Sequence, residues 1–155
     1  MSALWKSWFR WAAALVVVTV LLLGSAKAVD LDSSAVTYKL PDQIPWKGPA
    51  GGPQTAVLVG DPSKPGLYIE LIKWGPHQMS HPHFHPNDRY ITVLSGTWWV
   101  GTGTKFDPDQ TVPMPAGSFV TDIAKGVHYD GAKEESAILE IVGDGPATMT
   151  PAEVK

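Results

Sequence analysis

An all-β domain, closed into a sandwich or barrel, is what this sequence predicts. Three observations lead there. Short apolar runs rich in Val, Ile, Tyr and Trp recur between turns that carry glycine and proline. Beyond Ala28 no window of useful length places its apolar residues at helical period. Strands this short, at this spacing, close most of their edges only in a sandwich or barrel.

Taken in order, residues 1–28 stand apart from that domain. Lys6 and Arg10 give a positive start, the run from Trp11 to Leu23 is apolar apart from Thr19, and Gly24-Ser-Ala26-Lys-Ala28 supplies small residues in an A-x-A pattern. This reads as a secretory signal helix cleaved after Ala28. The alternative is an uncleaved N-terminal anchor, for which the run is short of the ~20 residues of a membrane span. Either way the rest of the chain is delivered across a membrane, to a periplasmic or secreted location, and meets lipid only through this segment.

Removing 28 of the 155 residues leaves 127, enough for one domain. The segment carries three cations and no acids, so the net charge moves from −3 to −6. An acidic chain without a Lys/Arg cluster argues against a nucleic-acid partner. Cysteine is absent, which excludes disulfides, thiol chemistry and Cys-ligated zinc.

Residues 29–53 form an arm. Pro41, Pro45, Pro49 and Pro53 with Gly48, Gly51 and Gly52 break both helix and strand. Val36, Tyr38, Leu40, Ile44 and Trp46 give it apolar points, so it is expected to lie over an edge strand and protect it; a flexible spacer is the alternative. Residues 54–146 are the barrel, with strands expected at 55–59, 67–74, 90–94, 97–100, 118–123, 127–129 and 137–142. An extended edge piece is expected at 111–115, where Pro113 and Pro115 cannot donate to a ladder. Residues 147–155 are expected to be a loose tail.

Four of the five histidines, His77, His81, His83 and His85, fall in one glycine-bounded stretch between Gly75 and Gly96; the fifth is His128. Side chains two apart on an extended strand share a face. His81, His83 and His85 therefore stand side by side, and an imidazole from a distant strand would complete one face of a metal's coordination sphere. The bland alternative is a set of surface or hydrogen-bonded histidines.

These segments resemble the two motifs of the cupins, G-x5-H-x-H-x3-4-E-x6-G and G-x5-P-x-G-x2-H-x3-N. Counting from Gly75 reaches His81-Pro-His83. Counting back from Gly96 instead reaches Arg89 in the glutamate position, with His83-Phe-His85 before it. The second register is preferred, because the turn at Gly96 sets where the strand enters the sheet. In the second motif Gly117 leads by length to His128, with Ile123 for the proline, Lys125 for the inner glycine and Ala132 for the asparagine. The resemblance spans about residues 67–142. It implies a jelly-roll barrel (a double-stranded β-helix) with a divalent transition metal, Fe, Mn, Ni, Cu or Zn, on His83, His85 and His128. His81, Asp122 and Asp88 stand as additional ligands or supports.

Arg89 departs from the pattern, since a guanidinium stays protonated and cannot ligate. Sharing parity with His83 and His85, it is expected to point inward, where it needs an anion. Asp122 would supply one, or a carboxylate on a substrate would. The alternative is a bulge near Pro86 that turns Arg89 outward and Asp88 inward. Tyr90, Trp98 and Tyr129 are candidates, with Arg89, for contact with the substrate, and one of Trp98 and Trp99 must face inward.

Two functions follow. One is an exported metal enzyme on a small organic molecule, an anionic one included, with dioxygenase and isomerase chemistry among those the resemblance implies. The other is a non-catalytic small-ligand binder with a degenerate metal site. Pairing through edge strands would make a homodimer.

Overall fold

The computed structural model describes residues 29–49 and 51–154. The expected signal helix and its cleavage site fall in residues 1–28 and lie outside the described residues. The chain divides into two units, Met1–Tyr38 and Lys39–Lys155. In the first, residues 29–38 hold a turn in which Asp32 Oδ1 accepts a hydrogen bond from Ser34 N at 2.9 Å.

The second unit is built from β1 (Gln54–Val59), β2 (Gly66–Trp74), β3 (His83–Phe84), β4 (Arg89–Ser95) and β5 (Thr97–Thr102). It continues with β6 (Val112–Pro115), β7 (Phe119–Asp122), β8 (His128–Gly131), β9 (Ala137–Gly145) and β10 (Thr150–Pro151). They form two antiparallel five-stranded sheets, ordered β1-β2-β9-β4-β7 and β10-β3-β8-β5-β6. This is the expected all-β jelly roll.

The core lies between the sheets and follows from alternation. Ala137, Leu139 and Ile141 on β9, and Ile91 and Val93 on β4, are all buried, while their strand neighbours are more exposed. Tyr68 and Trp74 from β2 and Trp98 from β5 fill the space between them. Each such aliphatic or aromatic side chain contributes about 1.5–3 kcal/mol on burial. Between β4 and β5, Gly96 has φ +69°, and a Cβ there would collide with the Ser136 carbonyl oxygen. Only glycine suits that position, which is why counting back from it recovers the strand register.

Two elements differ from expectation. β3 is only two residues long, because Pro82 and Pro86 flank it and can donate nothing to a ladder. The tail is not loose: Thr150 and Pro151 pair with Phe84 and His83 as β10, and Ala152 N donates to Pro82 O at 2.8 Å. A two-residue strand containing proline carries no alternation signal, so sequence periodicity does not register it.

Of the arm, Lys47 exchanges backbone hydrogen bonds of 2.8 and 2.7 Å with Thr55 on the outer edge of β1. Trp46 lies beneath Lys73 Nζ, 4.7 Å from its ring centroid, whereas Leu40 is 50% exposed. Val36 and Tyr38 fall in the other unit.

Lys125, the residue in place of the motif's inner glycine, has φ +63° on the turn into β8, and its N–H donates to His85 O at 2.7 Å. Its side chain is exposed, so little packing would be lost on shortening it. Lys125→Gly is expected to raise stability by up to about 1 kcal/mol, the left-handed strain relieved less the extra unfolded-state entropy of glycine. Urea unfolding of the pair measures it.

Candidate metal centre

The two remote histidine segments meet through backbone pairing. His83 on β3 lies directly opposite His128 on β8. His85 follows just beyond β3, and the three rings form a triangle with centroids 4.5, 5.0 and 5.6 Å apart. All three are buried, and one ligand nitrogen from each lies within 4.8 Å of the others.

Each ring is held by a carbonyl. His83 Nδ1 bonds His81 O at 2.8 Å, His85 Nδ1 bonds Thr148 O at 3.0 Å and His128 Nδ1 bonds Gly126 O at 3.1 Å. A carbonyl oxygen only accepts, so each Nδ1 carries the hydrogen, and in the neutral ring the lone pair is on Nε2. His85 Nε2 and His128 Nε2 are buried without a hydrogen-bond partner. This is how metal-ligating imidazoles are oriented, with one nitrogen anchored and the other free. The donor set fits a transition metal.

Carboxylates surround the triangle. His128 Nε2 lies 3.4 Å from Asp122 Oδ2 and 3.6 Å from Asp130 Oδ2. A nitrogen lone pair facing two carboxylate oxygens calls for positive charge between them, a proton or a metal ion. Burial raises the Asp130 carboxyl above its ordinary range. Burial also holds His83 below the ordinary imidazole range, and burial followed by the nearby Arg89 guanidinium lowers His85 to about 3. Neutral imidazole, the form that binds metal, is therefore the resting form of both.

Arg89 points inward and meets Asp122. The two are cross-strand partners of β4 and β7, both buried, with Arg89 Nε 3.1 Å from Asp122 Oδ2 and Nη2 on the same oxygen. Of the two anions considered for it, the protein's own is the one in place. The route differs from simple parity, however. His83 belongs to one sheet and Arg89 opens a strand of the other, with the chain turning the corner at residues 86–88.

Four candidate residues lie elsewhere. His81 is exposed, bonds Glu153 Oε2 at 2.9 Å and stacks on Phe106, because β3 begins only at His83. Asp88 is exposed on the corner and accepts from Ala124 N at 2.7 Å, steadying the turn before His128 rather than facing the metal position. Tyr90 has the opposite parity to Arg89 and stacks on Phe119 outside the barrel. Tyr129 alternates with His128 and Asp130, so it faces away from them, and its hydroxyl donates to Asp107 O at 3.0 Å. Trp98 is the inward member of its pair, while Trp99 lies under Lys133 Nζ.

A cavity of about 230 Å³ adjoins the triangle, lined by His83, His85, Arg89 and Trp98 and also by Glu70 and Asp130. Sequence reading missed the last two. Both follow from parity: Asp130 is two residues past His128, and Glu70 stands between Tyr68 and Ile72 on the inward face of β2. Ala147 and Met149 complete the wall, so the segment after β9 closes the cavity and, through Thr148 O, orients His85.

No family model matches the sequence, and no curated protein does. Solved structures do match in fold. The polyketide cyclase RemF from Streptomyces resistomycificus aligns with a TM-score of 0.63 at 14% identity, over 77% of this chain and 87% of that one. KdgF from Halomonas sp. aligns at 0.56 and 15%, over 70% and 93%. An RmlC-like cupin from Shewanella frigidimarina aligns at 0.55 and 17%, over 71% and 90%. The chain has the cupin fold, and three buried histidines inside its barrel can hold a metal ion.

Asp122→Ala, which strands the Arg89 charge, is expected to cost about 3–5 kcal/mol. Arg89→Met combined with Asp122→Leu should recover most of it, as denaturant unfolding would report. A second expectation concerns acid. Unfolded histidines protonate below about pH 6.5 while buried His83 and His85 do not, so the metal-free protein loses stability as pH falls from there toward about 3. Melting temperatures across that range should fall less steeply for His85→Gln.

Proposed function

We propose that this protein is an exported metal-binding cupin that holds one divalent transition metal on His83, His85 and His128. It binds or transforms a small organic molecule in the adjoining cavity. The observation that carries the reading is the set of anchored Nδ1 atoms, with the Nε2 atoms of His85 and His128 left buried and unpartnered. Export rests on residues 1–28, whose pattern reads as a signal segment.

Iron, manganese, nickel, copper and zinc all accept imidazole, and three nitrogens leave coordination positions for water or a ligand. Such an ion polarises a carbonyl or lowers the pKa of a bound water. The chain's own residues do the rest. The three carbonyls fix the rings, Arg89 and Asp122 neutralise one another beside them, and Ile72, Leu139 and Ile141 supply apolar wall. A structural neighbour, RemF, is a polyketide cyclase, so this fold supports chemistry on small organic molecules in at least that protein. The second reading, a binder without catalysis, is favoured by Arg89 standing where a glutamate ligand would be.

Metal content decides first. Protein dialysed against zinc or cobalt at neutral pH should retain one ion per chain by elemental analysis. His85→Ala and His128→Ala should each weaken retention by at least about 100-fold. At a free concentration 100 times Kd, the ion should add about 2.7 kcal/mol to stability. Absence of uptake by the wild type would overturn the reading.

A further inference from the structure

The polar groups on the cavity wall define what it accepts. Arg89 is the only lysine or arginine on that wall among the described residues, and its Nε and Nη2 are both taken by Asp122. Its charge is therefore offset by a carboxylate of the protein's own. The other charged side chains lining the cavity are two acids, Glu70 and Asp130.

The uncharged donors point the same way. Trp74 and Trp98 line the cavity, are 9% and 1% exposed, and each leaves its indole N–H without a hydrogen-bond partner. Buried donors that lack acceptors are costly unless something fills the space with oxygen atoms. Indole N–H groups donate and carboxylates accept, so their combined complement is a molecule that carries both acceptor oxygens and hydroxyl hydrogens. Burial raises the Glu70 carboxyl above its ordinary range, and a second anion entering the cavity would raise that cost again. The volume, about 230 Å³, lies below the roughly 300–1,000 Å³ typical of pockets for drug-sized ligands.

We propose that the cavity selects a small, uncharged, hydroxylated molecule, a polyol or hydroxycarbonyl, and that Glu70 is the residue that rejects carboxylates. This deepens the metal-site reading and rests on it only for placing the ligand beside the histidines. Glu70 is on β2 and is none of the three candidate ligands, so zinc uptake by its variants reports separately on the histidine triangle.

The test compares dihydroxyacetone with glycerate, two three-carbon probes that differ in charge. Binding is followed by the indole N–H resonances of Trp74 and Trp98, in metal-free and in zinc-loaded protein. Dihydroxyacetone is expected to shift both signals, and glycerate to bind at least about tenfold more weakly. Glu70→Gln should bring the two within about threefold, and Glu70→Met, which also lacks the charge, should agree. Equal or tighter glycerate binding by the wild type would overturn the proposal. So would selection that survives both substitutions, or indole signals that neither probe moves. Failure of the metal reading is seen separately, as absent zinc uptake while the metal-free protein still discriminates.

Discussion

A single backbone pairing, His83 against His128, is the constraint on which the rest depends. It joins segments far apart in sequence through a strand only two residues long, and it brings two imidazoles together with ring centroids 4.5 Å apart and planes inclined at 59°. A slip of one residue would send both side chains to the other face, since strand side chains alternate. The protein guards that register from several directions. Prolines bound β3, the Lys125 N–H reaches across to His85 O, and Asp88 clamps the turn that leads into β8.

The second constraint is electrostatic. A buried guanidinium sits where a carboxylate ligand would be expected, and the register of β4 on β7 answers it with Asp122. That pair turns a potential anion receptor into a neutral wall. Such buried pairs are weak sources of stability, because desolvation consumes most of the attraction. Their effect here is on the character of the site: the remaining acids, Glu70 and Asp130, set its sign.

Much of this was legible in the residues. The main strands announce themselves by apolar runs between glycine and proline turns, and the Gly96 turn identifies His83-Phe-His85 as the inward pair. What was illegible has physical causes. β10 is too short to show alternation, so the segment that orients His85 passed as a tail. Tyr90 and Tyr129 sit next to functional residues in sequence, but neighbours on a strand face opposite ways. His81 belongs to no strand, and parity says nothing about it. Glu70 and Asp130 were readable by the same period of two. An acid in an apolar strand, however, carries no motif, only a position.

The dependence of His85 on Thr148 has a temporal consequence. A chain still emerging lacks the carbonyl that steers this ring until residues beyond 146 are free to dock. Of the three carbonyls that hold the rings, the one on Thr148 lies last in the chain, so the triangle is completed only when that segment docks.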